Sequence, residues 1–465
     1  MRSILAGGVG VVFVAIVAVA CGSTDKSRSG YDGESGAGGQ GEAGASDAPG
    51  GAPSSTEGGA AGSVELASAG AAGSSGADSA GAAGAGSDPG GGGAPGNFVP
   101  PRPRLALGGP HSCALKLDGT VACWGRNDHG ELGNDEFSTA TPPGLAEAVP
   151  VAGLQGVVAI SSGLYHSCAL LDDASVACWG AGYAGQLGDD DFHTNDAGMA
   201  TPQLVALEGV KQVGAAGDNT CALMLDGTVQ CWGDNLFGQL GNDSTARSAL
   251  PVTVQGLSGV AKIAVGKFQT CSLMDAGTVQ CWGYGGVNGG SSINVLTPTP
   301  IAGIVEAIDL VAGDSFACAL VAGGAVRCWN EGDVGQLGDG MSNDSNTTPV
   351  DVTGLTGVVQ LSAGARHVCA IDANQAVWCW GDGEFGQLGD GVFHNGFPNF
   401  VTEPVAAELL TDVVEVACGA DHTCVRTSAD EVLCLGLGTH GQLGDGGFYP
   451  ALPFGSTMPV SALSL

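Results

Sequence analysis

The sequence predicts an all-β protein: a closed, seven-bladed β-propeller with four-stranded blades, preceded by a disordered linker. Three observations predict it. Cysteines recur as seven pairs ten positions apart: Cys113 and Cys123, Cys168 and Cys178, Cys221 and Cys231, Cys271 and Cys281, Cys318 and Cys328, Cys369 and Cys379, and Cys424 and Cys434. In six of the seven pairs a tryptophan follows the second cysteine: Trp124, Trp179, Trp232, Trp282, Trp329 and Trp380. Successive pairs are 55, 53, 50, 47, 51 and 55 residues apart. A period of about 50 residues that carries strand pairs and glycine-rich turns marks propellers and related arrays.

The first element is an export signal over residues 1–20. Arg2 supplies its positive end, Ile4 to Ala20 is an uncharged apolar run, and the small residues Ala18 and Ala20 precede Cys21. Ala18-Val19-Ala20-Cys21-Gly22-Ser23 resembles the lipobox of bacterial lipoproteins, with Ala18 where leucine is usual. That resemblance implies a lipidated Cys21 on an outer-membrane or extracellular protein; the competing readings are plain secretion and an uncleaved membrane anchor. Residues 21–98 are Gly, Ala and Ser with scattered carboxylates. They hold too few large apolar side chains to offset the entropy of ordering, and a disordered tether is expected.

The third element, residues 99–465, is the propeller. Each unit runs in one order: an apolar strand such as Val157 to Ile160, a hairpin across the cysteine pair, a Trp-Gly step, a turn ending Gly-Gln-Leu-Gly, a polar loop, and a strand near proline such as Pro202 to Leu207. If Leu117-Asp118-Gly119 is a three-residue loop with Gly119 left-handed, Lys116 faces Thr120. Counting outward, Leu115 faces Val121, Ala114 faces Ala122, and Cys113 faces Cys123, within disulfide reach. Nine residues between paired cysteines do not suit a zinc knuckle, and the export signal supplies an oxidising compartment, so disulfides are expected. Both faces of the hairpin are apolar, as in a sheet buried between neighbours. The seventh unit keeps Cys424, Cys434 and Gly441-Gln442-Leu443-Gly444 and is no polar cap, which favours a ring over an open solenoid. Met458 to Leu465 is left either to complete the seventh blade or to pair with the first.

Gly163-Leu164-Tyr165-His166-Ser167-Cys168-Ala169-Leu170, Cys178-Trp179-Gly180 and Gly185-Gln186-Leu187-Gly188 resemble the repeat of the regulator of chromosome condensation family. The resemblance spans residues 101–465 and implies a seven-bladed propeller whose loops present a binding face. The cysteine pairs depart from the family's nuclear members and suit an exported bacterial branch.

Candidate sites lie where the repeat is kept and where it is broken. His111, His166, His367 and His422 stand two positions before a first cysteine, where the other units have Asn219, Gln269 and Phe316. Recurrence at one slot favours a structural hydrogen bond over a metal or a general base. Asp189-Asp190-Asp191 with Asp196, Asp135-Glu136, and Asp339 with Asp344 could hold calcium, but no EF-hand spacing is present. Unit four loses Gly-Gln-Leu-Gly between Tyr284 and Gly290. Unit six adds Trp378 and an aromatic loop with Phe393, His394, Phe397 and Phe400, a candidate binding loop or a plug beneath it. Cys418 is the unpaired cysteine of the repeat region, expected as an inert buried thiol or an intermolecular link.

Charge excludes one class of partner. With 47 Asp and Glu against 14 Lys and Arg, no basic stripe exists to neutralise phosphates, and nucleic acid is not expected. The expectation is a non-catalytic, envelope-tethered monomer that binds a protein or glycan, with no cofactor or metal and with membrane contact only through the lipid. The alternative is an extracellular lyase or hydrolase using one face of the disc.

Overall fold

The structure, a computed structural model, divides the chain into two units, Met1–Gly92 and Gly93–Leu465. It describes residues 104–193, 198–285, 294–396 and 400–464, all in the second unit. The signal 1–20, Cys21, the linker 21–98, Asp196, the stretch 286–293 and Phe397 lie outside the described residues, as does the side chain of Asp344. No helix among the described residues is long and apolar enough to cross a membrane.

The described chain forms seven sheets of four strands, each an antiparallel meander of consecutive strands. Blade one comprises Leu105–Leu107, His111–Leu115, Val121–Gly125 and Leu145–Pro150, numbered outward from the first. The hairpin register is the expected one, with Cys113 opposite Cys123, Ala114 opposite Ala122 and Leu115 opposite Val121. Gly119 turns the loop at φ 79°, where a side chain would be strained, and the Asp118 carboxylate accepts from the Thr120 amide at 3.0 Å.

The other blades repeat this register and its crosslink. Cys168 stands opposite Cys178, Cys221 opposite Cys231, and Cys271 opposite Cys281. Cys318 stands opposite Cys328, Cys369 opposite Cys379, and Cys424 opposite Cys434. All seven expected pairs are bridged, with Cα atoms 4.0 to 4.2 Å apart.

The fourth strands are half-buried edges and start earlier than the sequence suggests. In blade two the strand is Met199–Leu204 rather than Pro202 to Leu207: the Val205 amide makes the last bond to the partner strand, on the Val176 carbonyl at 2.9 Å, and the Leu207 amide then turns back onto the Val205 carbonyl at 2.7 Å. Pro202 is tolerated there since an outer strand has an unpaired side. In blade seven the last strand, Gly455–Ser464, pairs with Glu431–Leu437 and completes that blade from its own sequence.

The apolar core lies between blades. Each of seven clusters draws on two neighbours; one joins Cys113, Leu115 and Leu132 of blade one to Ile160, Ala169 and Trp179 of blade two. Another joins Leu105, Ala114 and Trp124 to Cys424, Val432 and Leu443, which closes the ring across blades seven and one. Trp124, Trp179, Trp232, Trp282, Trp329 and Trp380 are fully buried in these seams, the inter-blade packing expected of the Trp-Gly step.

Polar groups finish each seam. The carbonyl of Gln186 accepts the Trp232 indole at 2.9 Å and the Thr220 hydroxyl at 3.0 Å; the carbonyl of Gln442 accepts Trp124 at 2.8 Å and Ser112 at 3.0 Å. Those hydroxyls are then acceptors for the histidines: His166 Nε2 meets Thr220 Oγ1 at 2.8 Å, and His422 Nε2 meets Ser112 Oγ at 2.8 Å. His111 and His367 reach Ser167 and Thr423 of the next blade in the same way, at 2.8 and 2.9 Å. The slot is therefore structural. It also dictates the preceding glycine, since a Cβ on Gly163 would lie 2.3 Å from His166 Cε1. Where unit four drops Gly-Gln-Leu-Gly, the next tryptophan, Trp329, has no indole partner among the described residues.

Candidate functional site

In a meander, the turns joining strands one to two and three to four leave one rim of the disc, and the hairpins leave the other. The hairpin rim is tight and uniform. The opposite rim carries the long loops, such as the one from Gly125 to Leu145. Function concentrates on loops held by a rigid scaffold.

Two variable slots of the repeat lie on this long-loop rim. The slot before the histidine position holds Pro110, Tyr165, Asp218, Phe268, Ser315, Arg366 and Asp421. The stretch after Trp-Gly adds Arg126, Asp128 and His129, then Tyr183, Asp234, Phe237 and Tyr284, then Glu331, Asp333, Asp382, Glu384 and Phe385. The fold gathers them into an arc of half-buried aromatics between charges. Phe237, Phe268 and Tyr284 form an edge-to-face trio with centroids 5.1, 5.2 and 6.3 Å apart. Lys267 lies 4.8 Å over the Phe268 ring, and Arg126 4.9 Å over that of Tyr165. Tyr183 donates to Asp218 Oδ1 at 2.6 Å, and Arg247 pairs with Asp234 at 2.7 Å.

Carboxylates dominate the arc around blades five to seven. Arg366 pairs with Asp333 at 3.1 Å and lies 4.0 Å from Asp382. Burial, with Asp382 and Asp314 nearby, pushes the Asp421 carboxyl up to about 7 against the opposing pull of Arg366. Burial raises Asp218 and Glu331 as well, and it lifts Glu131 to about 8. The chemistry is that of a surface short of cations, suited to receive a partner's positive groups.

One prediction arises here. A carboxyl whose folded pKa is raised costs nothing below its unfolded pKa near 4, and destabilises as pH rises from there to about 7. Asp421→Asn is expected to raise thermal stability at pH 8 and to raise it by less at pH 5.5, where the folded carboxyl is largely protonated. The gain should be about 1–2 kcal/mol after allowing for partial solvent access. Melting curves at the two pH values check it.

The residues singled out from sequence fall in several places. Phe393, His394 and Phe400 lie on the long-loop rim, Phe400 opposite Asp382 in the blade-six sheet. His394 Nε2 is held 2.8 Å from Asp390 Oδ2. The same slot in blade two pairs His193 with Asp189 at 2.8 Å, and in blade seven Tyr449 donates to Asp445 at 2.6 Å. The aspartate after Gly-Gln-Leu-Gly thus fastens its own loop. Asp339 does similar work, accepting from the Met341 amide at 3.0 Å. Trp378 is not brought to the aromatic loop: it sits by the opposite hairpin, its indole donating to Asp372 Oδ2 at 3.2 Å. Cys418 is buried, donates to the Ser362 carbonyl at 3.6 Å, and has its thiol pushed up to about 12 by burial. It is the inert thiol and presents no sulfur to a second molecule.

The arc itself went unread in the sequence. Its residues come one or two from each blade and are ordinary in isolation. The available signal was variability: flanking positions repeat from unit to unit, whereas these slots mostly differ, with aspartate recurring at Asp218 and Asp421 and at Asp234 and Asp382.

Comparison with known proteins agrees with the geometry. Two patterns described as the regulator of chromosome condensation (RCC1) repeat match the chain, one over 118–170, 226–273, 324–371 and 375–426, the other over 104–131, 157–186, 210–239, 358–387 and 413–442. The ultraviolet-B receptor UVR8 of Arabidopsis thaliana is 33% identical over 367 residues, spanning 75% of this chain and 80% of that protein. Human E3 ubiquitin-protein ligase HERC2 is 32% identical over 68% of this chain, but the match spans only 6% of its own length. Among solved structures, yeast Prp20p superposes with a TM-score of 0.65 at 21% identity, covering 75% of this chain and 87% of that one. Human WBSCR16 superposes with a TM-score of 0.62 at 22% identity, covering 71% and 88%. With seven repeats closed into one ring and the repeat pattern matched from blade to blade, the chain belongs to the regulator of chromosome condensation (RCC1) repeat family.

Proposed function

We propose that this protein is a non-catalytic, envelope-tethered binding scaffold whose long-loop rim receives a protein with a basic contact surface. The observation that carries the reading is the arc from Arg126 to Asp421. It sets half-buried tyrosines and phenylalanines among carboxylates on the loop side of a rigid disc. Aromatic anchors supply affinity at interfaces, and complementary charge supplies rate and specificity. Relatives support protein rather than small-molecule recognition: solved structures describe yeast Prp20 bound to Kap60 and its binding properties toward Gsp1p and histones. In this reading the protein is a monomer, the segment 21–98 is the tether, and a lipid on Cys21 holds it to an outer membrane or cell surface. Phe393 and Phe400 form an outer contact beside the arc.

Affinity capture from envelope extract tests the proposal. The partner should be stoichiometric, released by salt, and weakened at least about tenfold by Phe237→Ala with Phe268→Ala. Phe393→Ala with Phe400→Ala should weaken it less. Retention of the same partner by the variant lacking both Phe237 and Phe268, or turnover of an envelope polymer by the purified protein, would overturn the proposal in favour of a different face or an enzyme.

A further inference from the structure

We propose that Asp128, His129 and Glu131, on the long loop of blade one, form a binding site for a divalent transition metal of the zinc class. The starting point is a break in the repeat. Five units place glutamine before Leu-Gly: Gln186, Gln239, Gln336, Gln387 and Gln442. There the amide oxygen accepts from the backbone two residues back, as from Ala184 to Gln186 at 2.8 Å and from Phe237 to Gln239 at 2.9 Å. The amide nitrogen points toward the rim, where Gln239 donates to Asp234 at 3.0 Å and Gln336 to Asp333 at 3.1 Å.

Blade one has Glu131 in that slot. Its Oε2 keeps the backbone contact, accepting from the His129 amide at 2.9 Å. Its Oε1 stands where the other blades have an NH2, is wholly buried, and has no hydrogen-bond donor among the described residues. Gln387 and Gln442 also leave this outer atom unbonded, but there it belongs to a neutral amide. A carboxyl buried there must take up a proton or gain a cation, since removing its charge from water without either is costly.

The neighbouring groups complete a donor set. Ligand atoms of Asp128, His129 and Glu131 all lie within 4.8 Å of one another, and His129 Nε2 is 4.0 Å from Asp128 Oδ2. Two carboxylates and one imidazole suit zinc or its first-row neighbours, whereas calcium and magnesium favour all-oxygen sites. Three protein ligands leave a coordination position open to solvent or to a partner's side chain. Arg126 does not fill the role: its Nε is 3.8 Å from Glu131 Oε1, and its guanidinium is engaged with Asp128 through an NH2–Oδ2 contact of 2.6 Å. The metal must share Asp128 with Arg126, which makes the site weaker than a closed structural one.

The test is titration calorimetry of zinc chloride into the metal-stripped full chain, beside Glu131→Gln and His129→Ala. Glu131→Gln restores the residue that five other blades carry, so it should fold with a melting temperature no lower than the parent's. The expected result is one zinc per chain, weakened at least about tenfold in both variants. Among the described residues, Asp189 with His193, and Asp390 with His394, offer only two ligands each, and a variant carrying His193→Ala and His394→Ala should bind as the parent does. No binding by the parent, equal binding by Glu131→Gln, or loss of binding in that double-histidine variant would each overturn the proposal. None of these outcomes depends on whether the rim binds a protein.

Discussion

Acidification from pH 7 to about pH 4 is expected to unfold the propeller, with the buried histidines of the seams as the trigger. His111, His166, His367 and His422 are inaccessible to solvent, and burial holds each down to about 3 from 6.5. Each Nε2 is committed to a hydroxyl of the next blade, and each Nδ1 has no partner among the described residues to accept a second proton's charge. A histidine with a depressed folded pKa gives its full stability above pH 6.5. That stability is lost as pH falls toward 3, because the unfolded chain takes up protons that the folded chain refuses. At about 1.4 kcal/mol per pH unit and per group, four histidines remove on the order of 10 kcal/mol by pH 4.5. Domains commonly hold about 5–15 kcal/mol in all. Asp421, Glu131, Asp218 and Glu331 work in the opposite sense, gaining stability in acid, and offset part of this loss.

The ring supplies its own control, since blades three, four and five use Asn219, Gln269 and Phe316 at the same slot. Replacing the four histidines with glutamine keeps an N–H for the hydroxyl and removes the titration. Its acid midpoint, followed by tryptophan fluorescence, should fall by about one pH unit or more. An unchanged midpoint would show that carboxylates, not histidines, govern acid unfolding.

The second large effect concerns the bridges. Every bridged cysteine is at most 1% exposed, so reductant reaches its sulfur only through opening of the sheet. Native protein in dithiothreitol should therefore keep its bridges for as long as it stays folded. In denaturant they should all reduce together. Each closes a loop of separation 10, worth about 2–3 kcal/mol, and seven together are worth on the order of 15 kcal/mol. The reduced chain is accordingly not expected to refold until it is reoxidised. Alkylation in denaturant without reductant should label Cys418 and no other cysteine between 113 and 434. Label on a paired cysteine of untreated material would contradict the stapled ring.

How much of this was legible in the sequence depended on repetition. The pairing of Cys113 with Cys123, the Asp118-Gly119 turn and the facing order of Leu115 and Val121 could be counted out because each strand pair is local and its turn chemistry is explicit. The same count carried unchanged to the partners Cys231, Cys281, Cys328, Cys379 and Cys434. The structural role of the histidine slot was readable from recurrence alone. Its partner was not, because Ser112, Ser167, Thr220 and Thr423 each belong to the next blade. The closure of blade seven by Gly455–Ser464 was ambiguous for the same reason: a terminal strand can pair with either end of the ring. Glu131 escaped notice because glutamate and glutamine look interchangeable until the missing donor at its Oε1 is seen.

Each sheet takes all four of its strands from one continuous stretch of chain. Blade seven meets blade one through side chains such as Ser112, His422 and Trp124, and through loop backbone such as the Ala420 amide on the Gly108 carbonyl. Among the described residues no strand is exchanged to latch the circle. The join between first and last blades is therefore of the same kind as the others, and the molecule has no privileged starting point. A circular permutant cut at any connector should fold, given a linker across the width of one blade, three strand spacings or about 15 Å. Gain or loss of a whole unit by unequal recombination would likewise leave every remaining sheet intact.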